Sequence, residues 1–227
     1  MNKKSKRYQE VAKLVNKSTV YSIDEAIALA KQTSTLKFDG TVETVFRLNL
    51  DPKKADQMLR GSIVLPSGTG KTQKILVITT IKESEAIDAG ADIVGDKQMI
   101  TRIQGGFLDF DIIIATPEVM PELGKIGKIL GPKGLMPTAK LGTVTNDVAK
   151  AVNDVRKGKI EYRVDKNGNI HVILGKSSFS DSQLKTNYQA ILNTLRKIKP
   201  ATVKGTYIKN ISISTTMGPG IKVAIEE

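Results

Sequence analysis

Two glycine-rich runs, one histidine and a pair of near-adjacent aspartates are the places in this sequence where chemistry could be housed. Ser67-Gly68-Thr69-Gly70-Lys71-Thr72 imitates the loop whose backbone N–H groups and lysine cradle nucleotide phosphates. That loop needs a glycine five residues before Gly70, where Leu65 stands, and a helix after it whose N-terminus faces the phosphate. The segment Lys74 to Ile81 reads instead as a strand, so a glycine hinge explains the run better. The second run, Gly127 to Pro137, contains no Gly-x-Gly-x-x-Gly, which removes the case for a dinucleotide crevice. Its lysines and free backbone amides suit an anion, and a rigid connection packed by Leu130, Leu135 and Met136 accounts for it equally well.

Catalysis has little to build on. The single histidine, His171, lies in an alternating strand and reads as structural. With no cysteine, no His-Glu-x-x-His and no serine elbow, a nucleophilic triad or a zinc hydrolase is excluded. Asp109 and Asp111 flank an apolar strand and read as strand-edge polarity. No catalytic residue, metal ligand or cofactor is therefore expected. The rival reading is a phosphate- or nucleotide-handling enzyme built on the glycine loops, which stoichiometric ATP or GTP binding would favour. A DNA-binding repressor is a further rival, separable by competition between duplex DNA and folded RNA.

Charge points elsewhere. Thirty-five Lys and Arg against 23 Asp and Glu give +12 in 227 residues, with a pI near 9.7. Such an excess marks a polyanionic partner, most often nucleic acid. A membrane surface fits less well, because no basic helix carries a bulky apolar face, and no apolar run approaches a span. Met1 to Arg7 is polar and basic with no apolar segment behind it, so no signal peptide is expected. The absence of cysteine agrees with a reducing cytoplasm.

The elements that must position any site follow from periodicity. Ser5 to Val15 reads as a helix, and Ser22 with Glu25 opens a second through a capping-box pattern ahead of Ile23, Ala26, Ile27 and Ala30. From Thr41 the period becomes two: Val42, Thr44, Phe46, Leu48 and Leu50 share one face, Glu43, Arg47 and Asn49 the other. A helical turn at Asp51-Pro52 and a strand at Ile63 to Leu65 follow. Strands Ile75 to Ile81 and Asp111 to Ala115 then alternate with helices Ser84 to Ala89 and Lys97 to Ile103, which argues for a mainly parallel sheet. After a loop from Gly124 to Pro137, Asn146 caps a helix through Arg156 that Gly158 ends. Strands Ile160 to Val164 and Ile170 to Leu174 flank Asn167-Gly168, a hairpin signal. A helix from Asp181 to Ile198 precedes strands Thr206 to Thr216 and Ile221 to Ile225.

This order predicts an α+β domain, 1–67 plus 160–227, interrupted by an inserted α/β domain, 68–159, with a two-stranded hinge at the crossings. Charge supports the cut: 68–159 holds 13 basic and 11 acidic residues, a net of +2, and the remainder holds 22 and 12, a net of +10. A polyanion should dock on the discontinuous domain.

Within that domain Asn210, Ser212, Ser214 and Thr216 share one side of a strand, small hydrogen-bonding groups with no charge among them. An ordinary solvated face would also use serine and threonine. In a basic domain, however, such a strip suits RNA, because hydroxyls and amides reach ribose and base edges while lysines at the rim take phosphates. Aromatics make up only 4% of the chain, too few for a single-strand stacking platform. Phe38 is the best lone ring, with core burial an equal alternative. A folded RNA fits better than an unstructured strand.

Three segments carry a family resemblance: Lys37-Phe38-Asp39-Gly40-Thr41-Val42-Glu43, Ile129 to Pro137, and Thr215-Thr216-Met217-Gly218-Pro219. Together they resemble the L-one family of large-subunit ribosomal proteins, in its bacterial form, over essentially the whole chain. The resemblance implies a two-domain protein on the mobile stalk of the large subunit, near where deacylated tRNA leaves. It further implies repression of translation through a similar structure in its own mRNA, and a central domain like a Rossmann fold without a nucleotide. Family contacts map onto Phe38, Thr41, Glu43, Thr216, Met217 and Gly218, and onto Asn210, where some relatives have serine. With Lys37, Lys176 and Ser212 these residues make up the expected RNA-binding set. Expected partners are large-subunit ribosomal RNA, the mRNA of its own operon and exit-site tRNA; no membrane is expected, and the protein should be a monomer off the ribosome.

Overall fold

In the computed structural model, which describes residues 4–225, serines start the first two helices. The Ser5 hydroxyl accepts from the N–H of Tyr8 and opens α1, Lys6–Lys13. Ser22 and Glu25 each accept the other's backbone N–H, the capping box that the sequence predicts, at the start of α2, Ile23–Thr33. β1, Thr41–Leu48, obeys its period of two, with Val42, Thr44, Phe46 and Leu48 buried and Glu43 and Arg47 exposed. A short 3-10 turn at Ala55–Gln57 stands just after Asp51-Pro52, and β2, Arg60–Val64, follows.

Lys71–Lys159 is a compact unit by itself. Its elements are β3, Ile75–Ile78; α3, Glu83–Asp88; β4, Ile93–Gly95; α4, Lys97–Gln104; β5, Ile112–Ala115; α5, Met120–Lys125; α6, Gly127–Leu130; and α7, Val148–Arg156. The three strands run parallel in the order β4-β3-β5. Alternate residues of β3 enter different cores. Leu76 and Ile78 pack with Ile103, Leu123, Ile126 and Leu130, while Ile75 and Val77 pack with Ala86, Val148 and Val152. Both faces are therefore covered, as parallel sheets require.

Two expectations fail in this unit and one strand is new. β4 was not anticipated, because three residues between Asp92 and Asp96 are too short to show a period. The run from Gly124 is not wholly loop: Ile126 and Leu130 are buried, and burial holds helical turns that the glycines argued against. The α7 cap is Asp147 rather than Asn146, since the Asp147 carboxylate accepts from the N–H of Lys150 at 3.1 Å. Gly158, at φ 95°, ends the helix as expected.

The chain then rejoins the first unit, Met1–Gly70 with Ile160–Glu227. It adds β6, Lys159–Arg163; β7, Asn169–Lys176; α8, Asp181–Lys197; β8, Ile208–Thr215; and β9, Ile221–Val223. The Asn-Gly turn is present, closed by the Asp165 N–H on the Asn169 carbonyl at 2.8 Å, with Gly168 at φ 81°. The expected hairpin is not: β6 pairs with β2, β7 pairs with β1, and a single Val164–Ile170 bridge joins the arms.

The principal sheet is antiparallel, in the order β7-β1-β8-β9. α2 and α8 pack on one face, where Phe46 stacks on Tyr188 at 6.0 Å in a core shared with Ile27, Val172, Ile191, Ile211 and Ile221. The fully buried Asn187 of α8 clasps the chain where it leaves the unit. Its amide oxygen accepts from the N–H of Ser67 at 3.0 Å, and its nitrogen donates to the carbonyls of Gly68 (3.0 Å) and Leu174 (2.7 Å). No helix begins between Lys71 and β3, so the phosphate-loop geometry is absent. The molecule is a mixed α/β protein with several sheets.

Candidate nucleic-acid interface

Three of the residues singled out in the sequence meet at one end of the antiparallel sheet. Thr216 follows β8, and its hydroxyl accepts from the N–H of Thr41 at 2.9 Å and lies 3.3 Å from the Thr41 carbonyl. The Thr216 N–H donates to the same carbonyl at 2.9 Å. The Lys176 ammonium donates to the Thr41 hydroxyl at 3.2 Å. The Thr216 hydroxyl thus also locks the start of β1.

Met217 and Gly218 form the turn beyond. Met217 is 70% exposed and adopts φ 56°, the left-handed region that a side chain rarely occupies. The Gly218 N–H returns to the Thr215 carbonyl at 2.8 Å, and a Cβ at Gly218 would collide with the Thr215 hydroxyl. The turn therefore needs glycine at that position.

The segment Lys37–Gly40 stands beside it: a Cβ placed on Gly40 would come within 3.8 Å of the Thr216 Cβ. The Asp39 carboxylate accepts from the Ser177 hydroxyl (2.8 Å), the Ser178 hydroxyl (2.7 Å) and the Ser178 N–H (3.1 Å). Ser178 first and Ser177 second hold its pKa below the ordinary carboxylate value. The Ser177 N–H also donates to the Gly40 carbonyl at 2.8 Å. On this pinned segment Phe38 is 57% exposed, which settles its alternatives against the core, and Lys37 is exposed.

The remaining candidates run down the face of the sheet opposite α2 and α8. Glu43 lies between Ile173 and Ser214, Val45 between His171 and Ser212, and Arg47 between Asn169 and Asn210. Ser212 in turn faces Lys222 of β9. Side chains on this face are half-buried or exposed. Sequence reasoning found the β8 strip but missed His171, Ile173, Val45 and Lys222. His171 is exposed on the same face, its Nε2 3.6 Å from the Asp165 carboxylate, and not a core histidine. Strand parity would have located these residues had the neighbouring strands been known.

Among the described residues no cluster of acidic and histidine side chains could hold a metal ion, and no helix is long and apolar enough to cross a membrane. The lysines of the second glycine run, Lys128 and Lys133, belong to the other unit. Asp109 and Asp111 pair with Lys74 and Lys71 at 2.8 and 2.7 Å, as ordinary exposed ion pairs do.

The model of the ribosomal protein L1p/L10e family matches residues 29–219. A protein of Mesoplasma florum named large ribosomal subunit protein uL1 is 63% identical, covering 99% of this chain and all of its own length. Proteins of the same name from Mycoplasma capricolum subsp. capricolum and Mycoplasma mycoides subsp. mycoides are each 61% identical, over 98% of this chain and 99% of their own. The chain belongs to the ribosomal protein L1p/L10e family.

Proposed function

We propose that the discontinuous unit is an RNA-binding domain that docks a folded segment of large-subunit ribosomal RNA, making the chain a structural constituent of the large subunit. Membership in a family of ribosomal proteins makes it a non-enzymatic protein of the ribosome. The observation that carries the RNA reading is the knot of Lys176, Thr41 and Thr216, placed between the exposed Phe38 and Met217 at the end of an open polar sheet face. The unit that holds it has nearly all of the chain's excess positive charge.

The physics is docking by shape. Each phosphate neutralised by a lysine or arginine releases counterions, with a salt slope of roughly 0.7–0.9 per contact. The fixed hydroxyls and backbone groups then select an irregular surface, and Phe38 and Met217 offer apolar contacts to an unstacked base. Docking on the mobile stalk near exiting tRNA, repression of its own mRNA by a similar RNA structure, and a monomeric state off the ribosome complete the reading. The central unit serves as a separate domain, three-layered and Rossmann-like, without a nucleotide site.

The test is filter binding of large-subunit ribosomal RNA from Mesoplasma florum at several salt concentrations. Met217→Asp, at a side chain 70% exposed, should lose RNA affinity and keep its melting temperature. Normal binding by this variant removes the turn from the site.

A further inference from the structure

One arginine reaches the Met217 turn from far away in sequence. Arg7 of α1 donates from Nη2 to the Met217 carbonyl at 2.9 Å, across 210 residues, and from Nη1 to the Thr35 hydroxyl at 3.4 Å. Both acceptors are neutral. Among the described residues no carboxylate pairs with this guanidinium. The residue lies outside the segment that the family model matches, which begins at residue 29.

A guanidinium has five N–H donors in a rigid plane, and two are committed here. Those two bonds hold the guanidinium against the turn. They leave its charge unneutralised beside the exposed Met217 and next to a turn where the chain cannot carry a Cβ at Gly218. In a unit already at +10, this cation adds to the field that draws an anion to the turn. The same group also steadies the left-handed Met217, since it holds the carbonyl on one side of that strained residue.

We infer that Arg7 is a further RNA contact of the site: its protein-side bonds aim the fork, and its remaining donors take a phosphate of the RNA seated on the Met217-Gly218 turn. This makes α1 part of the interface and rests on the RNA reading above. A charge-assisted bond to phosphate, bidentate where geometry permits, is what a planar fork provides and an ammonium does not.

The experiment uses the full chain and the same Mesoplasma florum ribosomal RNA, with affinity measured against salt for wild type, Arg7→Gln, Arg7→Lys and Thr35→Val. Arg7→Gln should weaken binding about tenfold at low salt and lower the salt slope by about 0.7–0.9, one phosphate. Arg7→Lys should keep the slope but lose part of the affinity, and Thr35→Val should keep the slope. An Arg7→Gln protein that binds as wild type, or that weakens with an unchanged slope, overturns the phosphate contact and leaves only a brace for the turn. Should Arg7→Gln fail to fold, phenylglyoxal modification of the wild-type chain decides: Arg7 shielded by RNA supports the contact, and equal reactivity with and without RNA overturns it. Wild type that shows no RNA affinity at all sinks the RNA reading itself, and this contact with it.

Discussion

The two compact units of this chain build sheets of opposite kinds, and their surfaces differ accordingly. In Lys71–Lys159 the strands are parallel, so each connection must cross over a face, and helices end up on both. In the discontinuous unit the strands are antiparallel and α2 and α8 lie on one face only, which leaves Glu43, Val45, Arg47, His171, Ser212 and Ser214 as a surface. The central unit carries +2 and the discontinuous one +10. Topology thus leaves an uncovered, largely polar face on the same unit that has the charge to attract a polyanion, and both faces of the other sheet covered.

Replacing Phe46, buried against Tyr188, with alanine tests whether the cores are separate. The cost should be about 3–5 kcal/mol, read by hydrogen exchange as lost protection in β1, β7 and β8 with β3 and β5 unaffected. Equal loss in both units breaks the comparison at its root. Asn187→Ala leaves the Ser67 N–H and the Gly68 and Leu174 carbonyls without their partner. It should lower stability by about 1–3 kcal/mol, measured as a shift in urea midpoint. On the charge side, Lys176→Glu should weaken ribosomal RNA binding about tenfold, whereas Lys133→Glu in the central unit should change it by less than about twofold. Comparable losses would spread the interface over both units.

The smallest effect is acid sensitivity in the central unit. The Asp92 carboxylate accepts from the Ile75 N–H at 2.7 Å and pairs with Arg156 at 2.8 Å. The backbone bond first, and Arg156 after it, hold its pKa below the ordinary value. A depressed folded pKa means that the stabilisation is fully present above the unfolded value of about 3.9 and is lost as pH falls through the folded one. Asp92→Asn should therefore flatten the loss of stability of this unit below about pH 4, seen in thermal melts across an acid series. An unchanged acid profile would assign that sensitivity to other carboxylates.

Where a signal is local, the sequence carried it. The capping box at Ser22, the alternation of β1 and the left-handed Gly158 each depend on residues within a few positions of one another. The same locality misled at Asn167-Gly168, where the turn is right but the two arms serve different sheets. Which strand a segment pairs with is decided by packing over long separations, and nothing in a five-residue window records it. At Gly127–Leu130 the glycines argued for loop, and burial of Leu130 overrode their propensity. For the candidate site, the β8 strip and the residues around Phe38 and Met217 were legible. The bond of Thr216 to Thr41 and that of Arg7 to Met217 join positions 175 and 210 apart, and only the folded chain brings them together.

The position of β1 between β7 and β8 also bears on how the polypeptide is made. A chain emerging from its amino end presents Thr41–Leu48 before either neighbouring strand exists, while all three strands of the central sheet are complete by Ala115. The middle of a nascent chain can thus close its own hydrophobic nucleus while an apolar-striped strand waits with both edges bare. A product arrested ahead of Ile208 keeps one of those edges open, a template for aggregation. Only β8 closes that last edge, so the sheet that carries the candidate site is completed by one of the final strands of the chain.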